Sequence, residues 1–373
     1  MKEKIRVLHI RSAIGNGGGP EKTILNSPRY IDGNRYEMAI IYLKKKVDPA
    51  FRIDKKAEEV GVQDFHVIEE GSHFDRRAMR ELKDFIEKRN VNILHTHDYK
   101  TDWWGWLVRR HFPSLKLVTT VHGWTVMNTR KERIFYQLGK LPLYFFDRII
   151  AVNREIVDAL GRIGVPAGKM VEIRNAIETQ VFDRESPASG KSDGLVVGYI
   201  GRLSREKRVE DLIRAMGQLG ANGGIRKLLI AGEGPSRESL QELTIELELQ
   251  DKIEFLGYTD SRSFFNRVDI FVNPSLKEGL PNTMLEAMSM RSAVVATAVG
   301  GVGELLVHGE TGLVIPTENP EAICGALKLL AENCSKRVKM VENARESICR
   351  EYDFMARMKK IEDIYSAVVD NSS

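Results

Sequence analysis

Cysteine is nearly absent from this chain: Cys324, Cys334 and Cys349 are the only three, all in the last fifty of 373 residues. Their spacing matches neither a metal-ligand set nor a redox pair, so a disulfide scaffold is excluded and a reducing cytoplasm is the compartment that fits. Long apolar runs are absent too. The best stretch, residues 141–152, is cut by Asp147 and Arg148 and falls well short of the roughly 20 apolar residues a spanning helix needs. Residues 1–10 carry Lys2, Glu3, Lys4 and Arg6 within an apolar run, the pattern of a first strand and not of a secretory signal. No Asp-X-Asp occurs anywhere, which removes the usual carboxylate pair for presenting a divalent ion to a diphosphate. Neither a metal nor another cofactor is therefore expected.

What is present is the balance of a soluble globular protein, 42% hydrophobic and 29% charged. The length suits two domains, each able to bury its own core. One pattern recurs: a β-branched run, a glycine-containing turn, then a stretch of helical periodicity, the mark of βαβ units and parallel sheets. The clearest runs are residues 5–10, 38–43, 92–95, 117–121 and 148–152, then 195–200, 227–231, 252–256, 270–272, 293–296 and 313–315. A stretch of small, polar and breaker residues separates the two series, giving a domain over 1–185, a linker at 186–194 and a domain over 195–373. The expected class is α/β, two Rossmann-like domains with parallel sheets facing across a cleft, and a helical tail at 336–369 packing back onto the first domain.

The net charge of +4 divides into +8 over residues 1–185 and −4 over the remainder. A basic half suits an anionic acceptor or an anionic membrane. With Arg76, Arg77, Arg109 and Arg110 as cations and Trp103, Trp104 and Trp106 as anchors, the chain would sit peripherally at the inner face of the plasma membrane. The plainer reading is a solvated basic face over tryptophans packed in the core. Nucleic acid is not an expected partner.

In open parallel sheets, ligands bind beyond the carboxyl ends of the strands. The strongest stretch at such an end is Lys277-Glu278-Gly279-Leu280-Pro281-Asn282-Thr283, with Glu286 following. Its turn opens a helix near Asn282 or Thr283, whose unpaired amides and positive dipole end suit a diphosphate. Thr283 and Glu286 also have the spacing of a capping box, in which the glutamate only closes the helix start. Gly201 and Arg202 follow the first strand of the second half, with Lys207 further on. Fixed cations can neutralise charge growing on a departing diphosphate, which is a role for Arg202 and Lys207; the alternative is a solvated basic turn. Glu233, between Gly232 and Gly234, and Tyr258, after Gly257, stand at two further strand ends whose turns admit a ligand close to the backbone.

The first half offers a glycine-rich loop at residues 15–21, containing Gly18, Gly19 and Glu21. Pro20 stands where a dinucleotide fingerprint needs its last glycine, and strand 38–43 ends without an acidic residue for a ribose, so no nicotinamide cofactor is expected. Two strand ends carry histidines: His95, His97 and Asp98, and then His122 before Gly123 and Trp124. The first set looks superficially like metallohydrolase ligands, but no second cluster completes a two-metal site. His122 is the better candidate for a polar contact to sugar.

Taken in order, these residues resemble glycosyltransferase family 4, retaining enzymes of the GT-B fold. The resemblance covers nearly the whole chain and is strongest over 196–316. It rests most on Glu278 and Glu286 with Gly201, Arg202 and Lys207 upstream, and Gly300-Gly301-Val302-Gly303-Glu304 also matches. Pro20 and Gly303 depart from the residues commonest in the family. The resemblance implies a metal-independent hexosyltransferase of polysaccharide biosynthesis, moving sugar from a UDP or GDP donor to a glycan, lipid-linked or small-molecule acceptor. It implies that Glu278 holds donor-sugar hydroxyls, that Glu286 holds the ribose, and that Arg202 and Lys207 hold the diphosphate with help from Gly279, Leu280, Asn282 and Thr283. Tyr258 would lie beside the base, with Glu233 also on the donor side. Gly18 and Gly19 would close over the donor, His122 would stand at the reacting sugar, and Glu21, His97 and Trp124 would meet the acceptor. Two other classes suit the same residues: a sugar-nucleotide epimerase or hydrolase, and a sugar-binding protein without turnover.

Overall fold

The computed structural model describes residues 3–15, 17, 19–71, 75–122, 141–184, 194–220 and 223–370. It divides into two compact units, Met1–Asn175 with Met355–Ser373, and Ala176–Phe354. In the first unit the strands are β1 (Ile5–Ser12), β2 (Tyr36–Lys45), β3 (Phe65–Glu70), β4 (Ile93–Thr96), β5 (Lys116–Val121), β6 (Arg148–Ala151) and β7 (Met170–Glu172). They form one sheet in the order β3-β2-β1-β4-β5-β6-β7. In the second unit β8 (Leu195–Ile200), β9 (Ile225–Ala231), β10 (Ile253–Gly257), β11 (Ile270–Asn273), β12 (Ala293–Thr297) and β13 (Leu313–Ile315) form a sheet in the order β10-β9-β8-β11-β12-β13. Every named pairing in both sheets is parallel.

Parallel strands need crossover helices, and these cover both faces, so alternate residues enter different cores. Along β2, Ala39, Ile41 and Leu43 join one apolar cluster with Leu8, Leu94 and Trp104, whereas Ile40 and Tyr42 join another with Ile24 and Ile53. The second sheet repeats this: Leu228 and Ile230 pack with Val197, while Leu229 and Ala231 pack with Phe271 and Val294. Two strands, β3 and β7, do not stand out in the sequence. β3 is only partly buried and ends in Glu69 and Glu70, and β7 has three residues.

The division between units falls at Asn175, earlier than the expected 185, because the following residues are bonded into the second unit. Arg345 donates to the carbonyls of Phe182 and Thr179 at 2.7 and 2.9 Å, and Arg184 donates to those of Phe265, Val268 and Arg291. The expected linker lies outside the described residues except for Gly194. The tail is two helices, Cys334–Glu351 and Phe354–Asp370. They part where Ile177 N donates to Tyr352 O and Phe354 N donates to Ile177 O, at 3.0 and 2.9 Å. The last helix belongs to the first unit, where the Tyr36 hydroxyl lies 2.7 Å from Ser366 Oγ and Asp32 N donates to Glu362 at 2.8 Å. No helix among the described residues is long and apolar enough to cross a membrane.

Candidate active site

A doubly wound sheet leaves a crevice where successive crossovers diverge. In the second unit the chain leaves β8 toward β9 and β10, then restarts at β11 and proceeds the other way, so the divergence lies between β8 and β11. Lys207, in the loop after β8, meets Glu278, in the loop after β11: Nζ to Oε1 is 2.7 Å, with side chains 22% and 9% exposed. Ser275 Oγ lies 2.7 Å from the same carboxylate oxygen and 2.8 Å from Asn273 Oδ1. Lys207 carries three N–H donors, so its bond to Glu278 leaves two for another acceptor. The helix that follows is Asn282–Ser289, preceded by Pro281, and no side chain caps it. Thr283 is thus inside the first turn, two residues past the cap position that a capping box with Glu286 requires, and Glu286 is fully buried.

Two glycines draw these loops together. Gly232 has φ +123°, and a Cβ there would lie 1.9 Å from Gly201 O. Gly300 has φ +54°, and its Cβ would lie 1.9 Å from Glu278 O. Backbone bonds reinforce both approaches, Leu203 N donating to Glu233 O at 2.9 Å and Gly301 N to Gly279 O at 2.8 Å. The space a side chain would need at each position is filled by neighbouring loop backbone. Arg208, at φ +52°, adopts a conformation unusual for a residue other than glycine, and a two-point bond to Asp211, 2.9 Å at each contact, anchors it.

In the first unit the divergence lies between β1 and β4. Four histidines gather there. His9 Nδ1 is 2.8 Å from His97 Nε2, and His97 Nδ1 is 3.1 Å from His122 Nε2. His95 Nδ1 is 2.6 Å from the Tyr365 hydroxyl, which is also 3.0 Å from His9 Nε2, and His95 Nε2 is 2.8 Å from Thr120 Oγ1. Burial, reinforced by Arg357, pushes His9 down to about 3. Burial and then the surrounding cations and imidazoles hold His95, His97 and His122 well below the usual histidine range. His9, His95 and His97 bring ring nitrogens within 4.8 Å of one another, the spacing of a metal-ligand group, but all six of their ring nitrogens already face another ring or a hydroxyl. Beside them Arg11 pairs with Glu21 at 2.7 Å. Asp98 is spent on structure, accepting from Ser12 N and capping the helix Tyr99–Arg109 through Lys100 N and Thr101 N. Asp102, buried and bonded by Thr96 and Thr119 at 2.5 and 2.8 Å, is pushed up to about 7 by burial against those bonds.

Comparison with known proteins decides what these two sheet edges belong to. Residues 17–181 match the family description Glycosyltransferase Family 4, and residues 181–347 match Glycosyl transferases group 1. The chain belongs to glycosyltransferase family 4. This glycosyltransferase is 25% identical to the N-acetyl-alpha-D-glucosaminyl L-malate synthase of Bacillus anthracis, over 79% of its own length and 80% of the relative. It is 24% identical to the UDP-Gal:alpha-D-GlcNAc-diphosphoundecaprenol alpha-1,3-galactosyltransferase of Escherichia coli, over 80% and 81%. Its fold is that of Anabaena HepE, solved in complex with UDP, with a TM-score of 0.81 and 18% identity across 97% of this chain and 100% of that one. Two parallel-sheet α/β domains of this kind make the fold GT-B.

Within this glycosyltransferase, Gly201, Arg202, Lys207, Glu233, Tyr258, Glu278, Gly279, Leu280, Asn282, Thr283 and Glu286 all follow strands β8 to β11 at the carboxyl edge of the second sheet. Lys207 and Glu278 touch. Arg202 and Tyr258 are exposed, and Glu233 is ion-paired with Arg237. In the first unit Gly19 starts the helix Gly19–Tyr30, Glu21 is buried against Arg11, and His97 contacts His122. Gly18 and Trp124 lie outside the described residues. Sequence reasoning missed Ser275, whose position in a strand-end turn was its only signal. It also missed His9, which pairs in register with His95, and Tyr365, which no local pattern connects to a strand 270 residues earlier.

Proposed function

We propose that this glycosyltransferase transfers a hexose-type sugar, with retention of anomeric configuration and without a metal, from a nucleotide diphosphate donor to a lipid-linked or glycan acceptor. The carrying observation is the Lys207–Glu278 pair at the divergence of β8 and β11, with Glu286 on the helix behind it. Lys207 uses its remaining N–H donors, with Arg202, on the departing diphosphate, and the amino end of the helix Asn282–Ser289 adds its dipole. Glu278, held in place by Lys207 and Ser275, faces the sugar hydroxyls. The bond from the anomeric carbon to phosphate breaks, the acceptor oxygen bonds to that carbon on the same face, and the departing phosphate oxygen takes the acceptor's proton. HepE in complex with UDP and the UDP-Gal donor of the E. coli relative support a uridine donor over a guanosine one.

The lipid-linked acceptor named for that relative supports a membrane-surface role. At the amino ends of β5 and β6 lies a cavity of about 560 Å³ whose lining includes Trp106, Arg110, Lys116, Tyr144 and Phe145. Leu141 and Phe145 are 46% and 53% exposed. Trp104, in contrast, is fully buried and belongs to the core, so anchoring at an anionic surface falls to Trp106 and these neighbours.

Lys207→Ala tests the reading. Turnover should fall at least about a hundredfold while donor affinity changes severalfold, and the wild-type rate should survive EDTA. NMR of the product gives its anomeric configuration. Unchanged turnover in the variant refutes the assignment, and rapid isomerisation or hydrolysis of the donor without acceptor identifies an epimerase or hydrolase instead.

A further inference from the structure

We infer that Thr120, His95, Tyr365, His9, His97 and His122 form a single hydrogen-bonded relay, whose polarity sets whether His122 presents Nδ1 to a ligand as a donor or as an acceptor. The inference rests on His122 being the polar group at the sugar and adds what controls that group. Five contacts join the six side chains in a line, from Thr120 Oγ1 through His95, Tyr365, His9 and His97 to His122 Nε2, at 2.8, 2.6, 3.0, 2.8 and 3.1 Å. The strands, the strand ends at His97 and His122, and the terminal helix that carry them all belong to the first unit. His122 Nδ1 is the remaining ring nitrogen of the four, solvent-excluded and without a hydrogen-bond partner among the described residues.

A buried Tyr365 O–H left without an acceptor would be costly, so its hydrogen is used within the line, and only two arrangements then remain. A neutral imidazole has one N–H, and each contact needs one hydrogen. If Thr120 donates to His95, every later group must donate onward, and all four histidines carry their hydrogen on Nδ1. If His122 donates to His97, every group donates back toward Thr120, and all four carry it on Nε2. A ring reversed alone places two hydrogens in one contact and none in the next, inside a buried site where an unmade bond is costly. The four histidines therefore share one tautomer and exchange it together. In the first arrangement His122 Nδ1 donates; in the second it accepts.

Burial keeps the line neutral, and the neighbouring charges agree. Arg11 on β1 and Arg357 on the terminal helix both oppose a further cation. Around them, Glu21 is paired with Arg11, Asp98 is engaged by backbone amides, and Asp102 accepts from Thr96 and Thr119. Tyr42 on β2 is held in its neutral form by burial. Tyr365 is a positioning residue: the rings of His9 and His95 touch, with centroids 4.6 Å apart, but among the described residues their hydrogen-bonded link is its hydroxyl, which comes from the terminal helix.

The test is nitrogen NMR of the full chain labelled in histidine, which assigns each ring's tautomer without any donor present. His9, His95, His97 and His122 should show one tautomer in common, and mixed tautomers overturn the relay. Tyr365→Phe should decouple His95 from the other three and shift the His122 ring signals from a position that makes no contact with His122. It should also lower kcat several-fold with KM little changed. His122 signals identical to wild type in the folded variant overturn the proposal, and if the variant does not fold, the wild-type tautomer pattern decides alone. Equimolar Zn²⁺ should leave the four rings unmoved, whereas a saturable shift of His9, His95 and His97 would show a metal site in place of the relay. A shared tautomer in a protein that transfers no sugar leaves the relay standing and removes the glycosyl-transfer reading of the site, so the two failures are distinguishable.

Discussion

Acidification from pH 7 to pH 5 places a defined load on the first unit. His9, His95 and His97 are buried in neutral form, while in the unfolded chain each titrates near 6.5. A depressed folded-state value means stability that is complete above pH 6.5 and lost as pH falls below it. Over this interval the three rings cost about 6 kcal/mol, from about 2 kcal/mol each. Asp102 works in the other direction. Its folded-state value, raised to about 7, lies above the ordinary carboxylate value, so it binds a proton on folding and adds about 2 kcal/mol of stability as pH falls from 7 to 5. The net loss is therefore about 3 to 4 kcal/mol, a large share of the stability of about 5 to 15 kcal/mol typical of a domain. All four tryptophans, Trp103, Trp104, Trp106 and Trp124, fall within the sequence span Met1–Asn175 of the first unit, so urea unfolding followed by tryptophan fluorescence reports that unit selectively. With urea slopes of about 1 to 3 kcal/mol per molar, the midpoint should drop by about 1 to 4 M. Asp102→Asn removes the compensating proton and should deepen the drop toward the full histidine cost. A midpoint that stays level or rises between pH 7 and pH 5 would refute the neutral, buried histidine cluster.

Three further outcomes are expected. Gly300→Ala, which adds a Cβ against Glu278 O at a positive φ, should displace the Glu278 loop, destabilising the second unit by about 1 to 3 kcal/mol and reducing kcat/KM at least about tenfold; wild-type kinetics would show that the loop approach is dispensable. Sedimentation with anionic vesicles at low salt should pellet the protein, and Arg110→Ala with Lys116→Ala should weaken that binding measurably. In thermal-shift assays UDP should raise the melting temperature more than GDP at equal concentration, because stabilisation follows occupancy; the reverse order would point to a guanosine donor.

Eleven of the thirteen strands among the described residues were legible because strands covered on both faces read as continuous apolar runs. β3 and β7 were not, one being partly exposed and acidic at its end and the other too short to form a run. The donor-side residues were legible for a related reason: in a parallel sheet each follows its own strand, so order along the chain already places Lys207, Glu278 and Glu286 on one edge. The capping box failed by two residues of helix register, a distance that local spacing does not resolve.

The continuous apolar runs and the strand-end motifs determined two parallel-sheet α/β domains and a sugar-transfer family, because such signals are local in the chain. Tertiary structure alone decided the partnership of Lys207 with Glu278, the need for glycine at 232 and 300, the end of the first unit at Asn175, and the line of histidines. Each of these depends on which strand lies beside which. His9 meets His95 because β1 pairs with β4, and Tyr365 reaches both because the last helix returns to the unit in which the chain begins.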